Sequence, residues 1–182
     1  SALYGSEAMG GVINLLSRRP AAKPEREFLF NRSTRGATDA IAFLSTPLSR
    51  GWSGSWLGGG HWQEIVDVND DAWADLPGYG RAVVRPRLFW DGCNGRSFFA
   101  TAGLTYEDRD GGTPEGSVLP ATGEPYVGAL GTQRYDAGLL GQFLLNNRYV
   151  VTARAALSRQ SHDHEFGDVF ERDHHPAFPC DG

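Results

Sequence analysis

Residues 52–63 place Trp52, Gly54, Trp56, Gly58, Gly60 and Trp62 at every second position, with Ser53, Ser55, His61 and Gln63 among the positions between them. A period of two held over a dozen residues puts these two sets on opposite faces of an extended strand. The same alternation recurs downstream. In 79–90 the even face is Gly80, Ala82, Val84, Pro86, Leu88 and Trp90, and the odd face carries Arg81, Arg85 and Arg87. In 96–107, Phe98, Ala100, Ala102, Leu104 and Tyr106 oppose Ser97, Thr101, Thr105 and Glu107. In 149–160, Tyr149, Val151, Ala153, Ala155 and Leu157 oppose Thr152, Arg154, Ser158 and Gln160. Helical periodicity is nearly absent.

Seven strands are expected, at 25–34, 38–48, 52–63, 79–90, 96–107, 133–145 and 149–160. Most are about twice the usual globular strand length of ~5–6 residues. Strands one and two alternate poorly, and their faces are unassigned. Trp52 and Trp62 lie ~33 Å apart along a strand. At a tilt of ~40° that projects to about 25 Å, the height of the apolar band between the aromatic girdles of a transmembrane barrel. The connections alternate in length. Ser49-Arg50-Gly51, Asp91 to Gly95 and Asn146-Asn147-Arg148 are tight turns, whereas Glu64 to Gly78, Asp108 to Thr132 and everything after Ser161 read as long polar connections. An up-and-down meander whose two ends face different environments has this form, as in a bacterial outer-membrane barrel with short periplasmic turns and long external loops. A soluble β-sandwich also has about seven antiparallel strands, but shorter ones with bulkier inward faces.

Composition narrows the function. The net charge of -5 speaks against a general nucleic-acid binder, whose surface must be basic. All of the 17 basic residues but Lys23 are arginine. No run approaches the ~18 apolar residues of a spanning helix. Two cysteines are too few for a disulfide scaffold. If the topology holds, Cys93 falls in a periplasmic turn and Cys180 beyond an external loop, too far apart to bridge.

The leader adds a specific motif. Leu3-Tyr4-Gly5 is followed by Ala8, Gly10, Gly11, Val12, Ile13 and Asn14, then by Leu15-Leu16 and Arg18-Arg19-Pro20. Gly10-Gly11 permits a bend or a close backbone approach. These residues closely resemble the last strand of the plug domain in TonB-dependent outer-membrane receptors, where such a stretch precedes the barrel. The segment from Glu107 to Leu130 and the returning Arg134-Tyr135-Asp136-Ala137-Gly138 are similar to an external loop and strand of the same family. The resemblance implies that residues 1–19 end a plug, 20–24 link it to the wall, and 25–182 form the first part of an antiparallel up-and-down barrel of 22 strands. The sequence is then expected to be a fragment. The resemblance further implies active uptake of a ferric siderophore, with cobalamin or another chelate as variants. Partners would be a TonB energy-transducing complex, engaged through a segment absent here, and outer-membrane lipid. No catalytic constellation is discernible, and neither an enzymatic role nor a resident cofactor is expected. A passive porin-type barrel, or a soluble sandwich or cupin-like domain with a metal site, are the alternative readings.

Four groups merit a test against structure. Arg81, Arg85 and Arg87, with Arg134 and Arg154 similarly placed, form a row able to contact a plug or attract an anionic chelate, or simply to hydrate the wall. His162, His164, Asp168, Glu171, His174 and His175 contain metal-ligating types, but without the spacing of a cupin or closed zinc site. Asp67, Asn69 and Asp71 open like a calcium loop, yet Ala72 and Gly78 stand where an EF-hand needs Gly and Glu. Trp73, Tyr79 and Tyr126 are candidate ligand-stacking or interfacial aromatics.

Overall fold

The computed structural model describes residues 18–92, 95–145 and 148–167, together with the backbone of 169–176. Eight strands follow one another: β1 (Glu25–Arg32), β2 (Thr38–Pro47), β3 (Trp52–Gln63), β4 (Gly78–Asp91), β5 (Ser97–Gly112), β6 (Val127–Leu145), β7 (Tyr149–Phe166) and β8 (Val169–Pro176). They form a single sheet in the order β1 to β8, each strand antiparallel to its neighbour in sequence. The fold is all-β and up-and-down, as part of a barrel wall would be. The plug-like motif Leu3, Tyr4, Gly5, Ala8, Gly10, Gly11, Val12, Ile13 and Asn14 lies outside the described residues, as do Cys93 and Cys180.

The seven expected strands are all present, but the sheet has one more. Phe166 and Val169 close a hairpin between β7 and β8 where a long polar connection was expected after Ser161. The loop expected from Asp108 to Thr132 shrinks likewise, because β5 and β6 pair out to Gly112 and Val127. The reason is common to both. Ladder hydrogen bonds join backbones, so β5 and β7 continue through polar runs such as Asp108–Asp110 and His162–Glu165, with the outer part of β6, Val127 to Thr132, paired between them.

Registers fix the faces. One continuous row runs Leu44, Trp56 and Pro86 across β2 to β4, and another runs Leu88, Ala100, Leu139 and Ala155 across β4 to β7. All lie on one apolar face. The register also assigns the ambiguous strands: Phe28 pairs with Ala42 and Phe30 with Ala40, on that same face. Trp52, Trp90 and Phe98 gather at the short-turn end, with ring centroids 6.1 and 6.2 Å apart. Phe28, Phe30, Trp62, Tyr135, Leu139 and Tyr149 are each more than half exposed. Among the described residues, buried hydrophobic side chains reduce to Phe89. The described residues form one sheet with no second layer over it, so they do not make a sandwich.

Pro86 sits mid-strand in an interior strand, normally an unfavourable place. The β4–β5 ladder accommodates it by skipping from Val84–Leu104 to Arg87–Thr101.

Candidate functional site: the polar face

Opposite the apolar face, the odd positions of β3, β4 and β5 and the even positions of β6 and β7 share one surface. Arg81, Arg85 and Arg87 all lie on it, paired across β3 with His61, Leu57 and Ser55. Arg134 and Arg154 join them through β6 and β7.

Two of the three β4 arginines are engaged by wall carboxylates. Arg85 Nη2 donates to Asp136 Oδ1 at 2.8 Å, across the intervening β5. The bridge passes over Gly103, where a Cβ would stand 2.5 Å from Asp136 Oδ1 and 2.7 Å from Arg85 Nη2. Arg134 Nε approaches the same carboxylate at 4.0 Å. Nearer the long-loop end, Glu107 accepts from Tyr79 OH at 3.0 Å and from Arg109 Nε at 2.8 Å. Arg81 Nε stands 3.8 Å from it, and the Arg109 guanidinium lies 5.1 Å from the Tyr79 ring centroid. Asp39 and the His61 ring form a third contact, with Asn31 Nδ2 donating to Asp39 at 2.9 Å. Arg87 makes no ion pair among the described residues. Asp136 and Glu107 are only 16% and 14% exposed beside arginines that are a third to a half exposed, so these pairs are part-buried rather than free surface contacts. Each carboxylate offsets the charge of the arginines beside it, which weakens any field from Arg81 and Arg85 at longer range.

The chain enters the sheet along this same surface. Arg18 donates to Glu27 at 2.6 Å and to Glu25 at 2.9 Å, and its guanidinium carbon lies 5.7 Å from the Phe43 centroid. The hydrogen bond to Glu27 and then the charge of Glu25 raise the Arg18 pKa above its ordinary value. Arg19 reaches Asp91 at 3.1 Å and lies 5.8 Å from the Phe89 centroid. Phe43 and Phe89 both belong to the polar-face registers. Residues 18 and 19 therefore lie against the polar side of the sheet.

The other expected groups are dispersed. Tyr79 belongs to the Glu107 cluster, whereas Trp73 and Tyr126 meet at 5.5 Å between ring centroids and tie the two long loops together. The Ala74 N–H donating to Gly112 O adds a second tie. The Asp67 carboxylate accepts from the backbone N–H groups of Asn69, Asp70 and Ala72, so the loop folds around its own acid. His162 meets Thr132 Oγ1 through Nδ1 at 2.9 Å and has Gln160 at its other ring nitrogen. His162 and His164 lie 5.7 Å apart between centroids. Among the described residues no three His, Cys, Asp or Glu side chains are grouped to hold a metal. Asp168 and the β8 side chains, Glu171, His174 and His175 included, lie outside the described residues.

Sequence reading missed the partners Asp136, Glu107 and Asp39 as a set. The signal was present only as acids sitting at polar-parity positions of β2, β5 and β6. Assigning partners to them needed the register.

Compared with known proteins, the chain is 25% identical over 170 residues to a ferrioxamine receptor of Yersinia enterocolitica. The alignment covers 93% of this chain and 22% of the receptor. No protein family model matches the chain, and no solved structure matches it.

Proposed function

We propose that this chain is part of the wall of a TonB-dependent outer-membrane receptor that takes up a ferric siderophore or a similar large, scarce chelate. The observation that carries the reading is the receptor similarity running along 93% of the chain. The geometry supports it. A single meander with one exposed, Trp-bearing face and one arginine-carboxylate face suits a wall between lipid and a hydrated lumen. In lipid every backbone polar group must be satisfied internally, and a meander does so once its ends are closed. Asp67 to Asp71 and the Trp73–Tyr126 contact belong to the long-loop end, the side on which such a receptor meets its ligand. Energy for uptake would come from a TonB complex acting through an inner domain, of which residues 1–19 form the end.

The test uses the native host and its full-length protein. Outer and inner membranes are separated, and uptake of ⁵⁵Fe-loaded hydroxamate siderophores is followed in wild-type and deletion strains, with and without a protonophore. The reading expects recovery in the outer membrane and energy-dependent uptake that disappears on deletion. Recovery in the soluble fraction would overturn it. Outer-membrane recovery with uptake indifferent to the protonophore would favour a passive porin.

A further inference from the structure

A hollow of about 770 Å³ opens at the long-loop end of the sheet, on the side of the apolar face. One register row forms its floor. Arg32, Thr38, Trp62, Gly80 and Asp108 follow one another across β1 to β5, on the parity that also carries Trp56 and Leu88. A Cβ at Gly80 would meet nothing within 4 Å, so the middle of the row is empty. Beside it the Trp62 ring lies back along its own strand over Gly60, and the residue is 54% exposed. It thus turns a flat aromatic surface outward. At the upper border the Thr113 N–H donates to Tyr126 O and the Tyr126 N–H to Thr113 Oγ1, both at 3.0 Å, which holds the loop in place. Arg32 donates through Nη1 to Thr38 Oγ1 at 2.7 Å and makes no ion pair among the described residues. Asp108 accepts from Tyr106 OH at 2.6 Å. Glu64, Asp110 and Glu115 also border the hollow, with no hydrogen bond to their carboxylates among the described residues.

We propose that this hollow holds the neutral, hydroxyl-rich sugar headgroup of a membrane glycolipid. Its volume lies within the range of small-ligand sites. The chemistry of its border selects the class. Carboxylates accept from sugar hydroxyls in charge-assisted bonds, and the unpaired Arg32 guanidinium donates to sugar oxygens. The exposed Trp62 ring supplies an apolar face against which the C–H side of a sugar ring packs. Four carboxylates to one guanidinium disfavour a polyanionic headgroup, because like charges brought together repel. Position selects the source. Phe30 lies two residues from Arg32 on the same face and is 74% exposed, so apolar surface continues directly from the hollow. A free saccharide would use the hollow alone, whereas a glycolipid covers both, with its acyl chains along Phe30 and the rows beyond. That this face meets lipid rests on the membrane-wall reading. The hollow's own geometry does not depend on it, and the hollow is separate from the arginine–carboxylate face.

The test uses the full-length protein in micelles of an oligo-oxyethylene detergent, which carries no sugar. Digalactosyldiacylglycerol, phosphatidylglycerol with the same acyl chains, and digalactosylglycerol without chains are titrated separately, and the bound species are counted by native mass spectrometry. The galactolipid should bind about tenfold or more tightly than either of the others, as one or two hydrogen bonds to charged groups would give. Gly80→Leu fills the empty middle of the row and Trp62→Ala removes the aromatic surface. Each should weaken galactolipid binding by about tenfold, the scale of a lost aromatic contact. Asp108→Asn with Asp110→Asn adds no bulk and should narrow the preference over phosphatidylglycerol, so it carries the test if Gly80→Leu fails to assemble. Ala100→Leu, on the same face toward the short-turn end, should change nothing. No galactolipid binding, equal binding of the two lipids, or indifference to Gly80→Leu and to the Asn pair would overturn the site. Digalactosylglycerol binding as tightly as the galactolipid would overturn the lipid source. Binding is scored on protein purified from whichever fraction holds it, so its failure is distinct from a failure of outer-membrane recovery or of uptake.

Discussion

Gly103 is the residue on which the best-defined ion pair depends. With hydrogen as its side chain, β5 leaves a gap through which Arg85 on β4 reaches Asp136 on β6. Any Cβ at that position enters the path of the bridge. Gly103→Ala should therefore cost about 1 kcal/mol, toward the low end for overpacking because the neighbours are flexible side chains. In an Asp136→Ala background the same substitution should cost close to nothing. Urea midpoints of the four proteins in detergent micelles make this a double-mutant cycle. Equal costs in both backgrounds would show that Gly103 serves the backbone rather than the bridge. Glycines do related work on the other face. At Gly92 a Cβ would stand 2.5 Å from the Trp90 ring, and at Gly141 2.9 Å from the Phe143 ring. The aromatic rings lie along their own strands over these glycines instead of standing upright.

Among the elements, the segment leading into β1 and the two long loops are held by few contacts, and each can be released selectively. Arg18 and Arg19 fasten the entering chain through exposed ion pairs, each contributing ~0.2–1 kcal/mol. Arg18→Ala with Arg19→Ala should speed elastase cleavage at Ala21-Ala22 by roughly two- to fivefold, as expected from a pre-cleavage opening equilibrium shifted by about 0.5–1 kcal/mol. An unchanged rate would mean that other contacts hold the linker. At the opposite end, Trp73→Ala removes the aromatic tie between residues 64–77 and 113–126. Amide exchange in 113–126 should then accelerate by up to about tenfold, corresponding to the 0.5–1.5 kcal/mol of such a pair. Unaltered exchange would assign the tie to the Ala74–Gly112 hydrogen bond. Elements also show what the sequence could tell. β3 to β5 and β7 were legible because their two faces differ in chemistry. β1 and β2 hid their faces because Leu29, Ile41 and Phe43 on one parity face Phe28, Phe30 and Ala42 on the other. β8 and the outer parts of β5 and β7 were invisible because they are mostly polar at both parities, and the outer part of β6 because Gly128 and Gly131 interrupt the alternation of Val127, Ala129 and Leu130. Arg81, Arg85 and Arg87 could be placed on a common face from parity alone. Their partners could not, since Asp136 lies 51 residues from Arg85 in sequence and meets it only through two registers.

For the whole molecule, the decisive property is that the described residues build almost no core, buried hydrophobic side chains among them reducing to Phe89. The sheet's order is linear from β1 to β8, and no pairing joins those two strands among the described residues. Each outer strand therefore presents unpaired backbone groups, the condition under which strands recruit other chains. The apolar face adds Trp62, Tyr135, Leu139 and Tyr149, each more than half exposed. Water is a poor solvent for both features, whereas a bilayer would cover the second and additional strands would close the first. Residues 1–182 expressed alone should consequently aggregate in plain buffer. In detergent micelles the apolar face is covered but the edges remain, so the expected result is small oligomers rather than a single species. Light scattering behind size-exclusion chromatography, run with and without detergent, separates these states. A monodisperse, cooperatively unfolding monomer in plain buffer would show that the chain buries its apolar face by itself, and the membrane-wall reading would fall with it.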